Sequence, residues 1–167
     1  FPTRRSSDLL PGQTLEIKNR LVYIDGKPNK EPENVQYTYR MKLKQTFPDE
    51  LMHQLGISME DLISLNQYGF IPLTKHAVAE LKKHTELVES IEANTDAETW
   101  DIYPLNTNTG WTRDNYGPIW IPKKGETLQL TLDNIAIYER PISVYENNDL
   151  KVKNGQIYIN GQLATTY

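Results

Sequence analysis

Leu15-Glu16-Ile17-Lys18-Asn19-Arg20-Leu21-Val22-Tyr23-Ile24-Asp25-Gly26-Lys27 aligns without a gap with Leu150-Lys151-Val152-Lys153-Asn154-Gly155-Gln156-Ile157-Tyr158-Ile159-Asn160-Gly161-Gln162, 135 residues further along the chain. Leu, Lys, Asn, Tyr, Ile and Gly recur at the same six places of the two copies. Each copy alternates toward a polar pair, Asn19-Arg20 or Asn154-Gly155, and then runs on to Asp25-Gly26 or Asn160-Gly161. Asn-Gly and Asp-Gly tolerate the positive φ that a tight hairpin turn requires, so each copy is expected to be a short antiparallel ribbon. Two copies are too few for a solenoid. They are expected to frame the sequence between them, one ribbon entering it and the other leaving.

Inside that frame, Gln36 to Lys44 sets Tyr37, Tyr39, Met41 and Leu43 against polar neighbours, the period of two of a half-buried strand. Thr46-Phe47-Pro48-Asp49 has the form of a helix start with Pro in the first turn, which predicts a helix from about Phe47 to Leu55, stopped at Gly56. Ser58-Met59-Glu60-Asp61 repeats the signal for a helix ending near Asn66. Gln67 to Leu73 reads as extended, Thr74 as the cap of a helix through Ala77, Val78 and Leu81 to His84, and Leu87 to Ile91 as a strand. Asn94 to Gly117 is polar and loop-like. Beyond it, Ile119-Trp120-Ile121 and the alternation of Leu128, Leu130 and Leu132 predict strands. Asp133 or Asn134 can cap a helix that Pro141 should kink or split. The fold class is therefore α+β, mainly antiparallel β, with two homologous hairpins around a small helical insertion at about 47–84.

Composition narrows the function. The chain has 167 residues, 18 Lys and Arg against 22 Asp and Glu, and a net charge of -4. It has no basic run beyond pairs such as Lys82-Lys83 and Lys123-Lys124, so no phosphate-tracking surface is expected and nucleic acid is not a predicted partner. Its apolar runs are a few residues long, whereas a spanning helix needs about 20. The absence of Cys removes disulfides, thiolate nucleophiles and Cys-type metal sites, and it leaves the compartment open. Three His leave little for a metal cage, and no metal or cofactor is predicted.

Phe1-Pro2-Thr3-Arg4-Arg5-Ser6-Ser7-Asp8-Leu9 has no apolar core and opens no element; it resembles the reading-frame translation of a sequencing-adapter oligonucleotide. Residues 1–9 are set aside as an artefactual leader. Native sequence is expected to begin near Leu10, and the strand-like pattern at Ala164-Thr165-Thr166-Tyr167 has no closing turn. The expectation is a β-rich domain over 10–167, cut at both ends.

Catalytic motifs do not appear: there is no Gly-x-Ser-x-Gly, His-Glu-x-x-His, Walker loop or dinucleotide fingerprint. Ser58 reads as a helix cap. Asp49 and His53, four apart, read as an exposed pair on one helix face, and Glu60-Asp61, Glu89 and Glu92 as solvated charge. None is assigned a catalytic role. The aromatic residues Trp100, Tyr103, Trp111, Tyr116 and Trp120 stand out more. Of these, Trp100, Trp111 and Trp120 suit a stacking platform for sugars or an apolar groove for an extended peptide, and equally the core of a loop packed on the sheet.

Leu10-Pro11-Gly12-Gln13-Thr14-Leu15-Glu16-Ile17, followed by Val22-Tyr23-Ile24-Asp25-Gly26-Lys27-Pro28, resembles the stretch after the catalytic lysine of bacterial type I signal peptidases. There a strand leads into Leu-Pro-Gly-Asp and a hairpin ending in Asn-Gly-Lys. Asp114-Asn115-Tyr116-Gly117-Pro118-Ile119-Trp120-Ile121-Pro122, Asn134-Ile135-Ala136-Ile137-Tyr138 and Ile157-Tyr158-Ile159-Asn160-Gly161 are similar to the long form of that family in Bacteroidetes-type bacteria. The likeness runs from Leu10 to Tyr167 and departs from the family at Gln13, where Asp is usual. It implies a membrane-bound serine endopeptidase that removes signal peptides from exported preproteins, with its catalytic domain on the outer, periplasmic face of the cytoplasmic membrane.

The same resemblance implies a Ser nucleophile and a Lys base before Leu10, and a Gly-Asp-Asn-Arg segment after Tyr167. A neutral Lys in apolar surroundings can take the Ser proton, because desolvation lowers its pKa. No catalytic residue is then expected in this chain. Pro11 and Gly12 carry over as a structural turn, and Trp111, Tyr116 and Trp120 are candidates for contact with the preprotein or the membrane surface. The rival expectation is a secreted or periplasmic binding module that uses the Trp and Tyr residues for peptide or glycan.

Overall fold

The computed structural model describes residues 9–95, 102–105 and 109–167. Most of the leader and Trp100 lie outside the described residues. The chain is α+β, its sheets are antiparallel, and it divides into two units: Phe1–Asn29 with Asp96–Tyr167, and Lys30–Thr95.

In the first unit, β1 (Thr14–Lys18), β2 (Leu21–Ile24) and β3 (Lys27–Pro28) form a meander, and β7 (Tyr116–Trp120) pairs with the free side of β1, giving the order β3-β2-β1-β7. The second copy of the repeat forms the same three-stranded meander: β8 (Leu150–Lys153), β9 (Gln156–Ile159) and β10 (Gln162–Leu163). Registers agree, with Leu15 opposite Ile24 and Lys18 opposite Leu21, as Leu150 is opposite Ile159 and Lys153 opposite Gln156. The Asn19-Arg20 and Asn154-Gly155 turns have positive φ at both central residues, the mirror-image turn that matches strand twist.

The likeness extends to individual hydrogen bonds. The Thr14 N–H donates to Asp25 Oδ1 at 2.8 Å and the Asp25 N–H donates to the Thr14 carbonyl at 2.9 Å. The Asp149 N–H donates to Asn160 Oδ1 at 2.9 Å and the Asn160 N–H to the Asp149 carbonyl at 2.8 Å. Short acidic or amide side chains serve here because they reach a neighbouring N–H and tolerate the left-handed region.

One position in the first sheet requires glycine. A Cβ on Gly117, at φ +88°, would lie 2.8 Å from the Leu15 carbonyl oxygen, where the β1–β7 register shifts between Leu15 and Ile17. Pro118, next to it, brings no N–H to the ladder, and β7 tolerates this as an edge strand.

The apolar core of this unit comprises Leu128, Leu130, Ile135, Tyr138, Ile142 and Ile157. Leu128 and Leu130 are the inward residues of the expected strand, but their partner is the end of the chain. The Leu128 N–H donates to the Tyr167 carbonyl at 2.7 Å and the Leu130 N–H to the Thr165 carbonyl at 2.9 Å. Leu132, expected to continue the strand, is exposed, because Thr131 and Asn134 exchange side chain–backbone hydrogen bonds that turn the chain into α4 (Ile135–Arg140). Pro141 does split the helix there: Pro141–Tyr145 winds as a π-helical turn.

In the second unit, β4 (Gln36–Leu43) is the centre of a sheet ordered β5-β4-β6, flanked by β5 (Phe70–Thr74) and β6 (Val88–Ala93). Tyr37, Tyr39, Met41 and Leu43 face inward as their alternation predicts. Helices α1 (Asp49–Leu55), α2 (Met59–Tyr68) and α3 (Lys75–Leu81) complete the unit, around a core in which Ile71, Leu73 and Leu81 are essentially inaccessible. Ser58 forms the full capping box with Asp61, and Thr74 caps α3 by accepting the Ala77 N–H.

Thr46 does not cap α1. That helix begins at Asp49 after Pro48, with no side-chain cap, and Phe47 precedes it as a buried core residue. Pro48 itself takes the N-cap position in extended conformation, so the helix starts two residues after the expected Phe47 and the Pro lies before its first turn. Helix α2 also runs two residues past Asn66, to Tyr68, because Gly69 in the left-handed region supplies the stop.

Candidate functional site

Leu10-Pro11-Gly12-Gln13 is a tight turn of the form that puts Pro second and a positive-φ Gly third. Gly12 has φ 90°, and the Gln13 N–H donates to the Leu10 carbonyl at 3.1 Å. The Gln13 side chain closes the turn from the other side, its Oε1 accepting the Leu10 N–H at 2.7 Å. An Asp at this position would have a shorter reach to the same donor. The turn is joined to the end of β7 by two backbone bonds, Gly12 N–H to the Ile121 carbonyl at 2.6 Å and Ile121 N–H to the Gln13 carbonyl at 2.9 Å. A Cβ on Gly12 would lie 2.4 Å from Lys123 Cε, so the Lys123 stem crosses directly over it.

The aromatic candidates separate. Tyr116 and Trp120, at the two ends of β7, line a pocket of about 960 Å³ that is lined, among the described residues, also by Tyr103, Ile137, Tyr138 and Tyr145. Trp111 does not line it. Its ring packs in a T-shaped arrangement with Tyr116, 4.9 Å between centroids and 61° between planes, so it touches a lining residue without lining the pocket itself. Pro11 and Gly12 do not line the pocket either.

Two tyrosine hydroxyls of the pocket are committed to the fold. Tyr138 donates to the Trp120 carbonyl at 2.9 Å, and Tyr103 donates to the Ile137 carbonyl. Burial pushes the Tyr103, Tyr116 and Tyr138 phenols above their ordinary range, so all three are neutral in use. The lining carboxylates are occupied too: Glu126 accepts the Lys123 N–H at 2.9 Å, and Glu146 accepts the Tyr167 hydroxyl, whose own pKa that bond raises. Lys124 and Arg140 also line the pocket, are exposed, and make no ion pair among the described residues.

Sequence reading did not mark Tyr138, Tyr145 and Arg140 as pocket residues, because that segment is announced only by a helix cap and by Pro141. Among the described residues of this arrangement no nucleophile stands beside a base. Ser58 is a cap, Ser64 donates to the Phe70 carbonyl at 3.3 Å, and Ser143 donates back to the Glu139 carbonyl at 2.6 Å. What the site offers is apolar surface with cations at its margin. No described helix is long and apolar enough to cross a membrane. Comparisons of the chain with protein-family models, with characterised proteins and with solved structures find no match.

Proposed function

We propose that the chain is the non-catalytic, β-rich part of a membrane-bound Ser/Lys endopeptidase of the type I signal peptidase class, which cleaves signal peptides from exported preproteins at the outer face of the cytoplasmic membrane. In this reading the Ser and Lys belong to flanking sequence. The observation that carries it is the Leu10–Gln13 turn. It is a Leu-Pro-Gly turn whose glycine sits at φ 90° under the Lys123 stem, it leads straight into a hairpin closed by Asp25-Gly26-Lys27, and it is tied to Ile121 in the Gly117–Pro122 segment that carries the other half of the resemblance. The two halves of the likeness, about a hundred residues apart in sequence, are neighbours in space.

The test is the sequence on either side in the source genome, followed by assay. An apolar span with a Ser and a Lys shortly before Leu10, and cleavage of a signal-peptide substrate by the longer product but not by this chain, are the expected results. Flanks without that pair, or cleavage by the 167-residue chain itself, would overturn the reading.

A second reading, a β-rich periplasmic or secreted binding module for peptide or glycan, draws on one observation: Tyr116 and Trp120 line a pocket large enough for a ligand. It would be favoured by a cleavable leader and a separate module in the flanking sequence.

A further inference from the structure

The pocket behind Tyr116 and Trp120 has a chemical character narrower than "aromatic". A sugar needs hydrogen bonds as well as a ring to stack on, and the Tyr103 and Tyr138 hydroxyls are spent on backbone carbonyls of the fold. A peptide adding to the β7 edge needs free backbone groups there, yet the Trp120 carbonyl already accepts from Tyr138 and Pro118 has no N–H. The pocket presents to a ligand the apolar surface of Tyr103, Trp120, Ile137 and Tyr138, with Lys124 and Arg140, exposed and without an ion pair among the described residues, in its lining. The lining carboxylates Glu126 and Glu146 accept from the Lys123 N–H and the Tyr167 hydroxyl, and neither pairs with Lys124 or Arg140 among the described residues. One wall is the π-helical turn Pro141–Tyr145, a form of helix that recurs where ligands bind.

We propose that this pocket binds an elongated apolar molecule with an anionic end, a long-chain carboxylate or an anionic lipid, its chain against Trp120 and Tyr138 and its charge beside Lys124 and Arg140. The proposal stands on the pocket alone and is independent of the peptidase reading, which is tested by a different assay. Lys123 is left out of the charge site because its stem holds the turn at Gly12.

The experiment titrates the full chain with monomeric oleate and with uncharged dodecanol, by calorimetry and by tryptophan fluorescence, and in parallel measures co-sedimentation with phosphatidylglycerol vesicles. Saturable oleate binding is expected. The Lys124→Gln/Arg140→Gln double variant, both positions being exposed, should weaken oleate roughly fivefold or more while dodecanol affinity stays within about twofold. Raising salt should weaken oleate and spare dodecanol. Binding of vesicles without free oleate would assign a bilayer lipid as the ligand, and the reverse a free carboxylate. Absence of saturable binding to either amphiphile, equal losses for oleate and dodecanol in the variant, or tighter binding of an acidic leucine-rich peptide than of oleate would each overturn the proposal.

Discussion

Arg20 holds Asp114 twice, donating from Nε to Asp114 Oδ2 at 3.0 Å and from its backbone N–H to the Asp114 carbonyl at 2.9 Å. The adjacent Asn19 N–H donates to Asn115 Oδ1 at 3.0 Å, so the tip of the β1–β2 hairpin is fastened to the segment that enters β7. This explains why Arg stands at φ 73° where the second copy of the repeat has Gly155 at φ 74°. A non-glycine residue in that region costs about 1 kcal/mol, and the largely buried ion pair offsets it.

A double-mutant cycle on Arg20→Gly and Asp114→Ala measures that balance by urea unfolding. Arg20→Gly relieves the backbone while losing the pair, so its net cost should be smaller than that of Asp114→Ala, with a coupling of about 1 kcal/mol between the two. Equal costs and no coupling would show that the ion pair contributes nothing.

Glycine positions should rank by what a methyl group meets. Gly117→Ala drives Cβ into the Leu15 carbonyl, a backbone atom that cannot move aside, and should cost more than about 2 kcal/mol. Gly12→Ala meets the flexible Lys123 stem and should cost less, about 1–2 kcal/mol. Gly26→Ala, with open space around it, carries only the strain of its φ of 74°, about 1 kcal/mol. Thermal unfolding of the three variants checks the order. A Gly26 variant as destabilised as the Gly117 variant would contradict it.

The hairpin braces make a sharper comparison. Asp25 uses only acceptor oxygen to hold Thr14, so Asp25→Asn should change stability by less than about 0.5 kcal/mol. Asn160 holds Asp149 through its oxygen and also donates from Nδ2 to Asn148 Oδ1 at 2.7 Å. Asn160→Asp removes that donor and sets a carboxylate beside another acceptor, and should cost about 1 kcal/mol. Denaturant midpoints that moved equally in the two variants would refute the asymmetry.

Local chemistry accounts for what the sequence made legible. Asn-Gly and Asp-Gly turns, the Ser58 and Thr74 caps and the alternation of Tyr37 to Leu43 act over two to eight residues, and each appears where those residues are. The pairing of Leu128 with Tyr167 has no such signal, because it joins segments far apart in the chain. The lining of the pocket is only partly legible for the same reason. Trp111, Tyr116 and Trp120 lie close together in sequence, but the pocket is closed by Tyr103 bonded to Ile137, and by Tyr138 bonded to Trp120. Ile137 and Tyr138 lie on α4, which the sequence announces by a cap and by Pro141 and by no pocket signal.

Acid stability should depend on Glu31. Hydrogen bonds from Lys75 and then Tyr37 to its carboxylate hold its pKa below the ordinary range of about 4, so the folded state binds its proton less readily than the unfolded chain does. The stabilisation is complete above the unfolded-chain value and is lost as pH falls through the depressed folded value. Glu31→Gln removes the charge and the difference in proton affinity together. Its unfolding midpoint should therefore lie below that of the parent chain near neutrality and approach it as pH drops below about 4, the gap closing because the parent loses stability. A gap that stayed constant across this window would mean that Glu31 acts through packing or neutral hydrogen bonds and that its charge is spectator to folding.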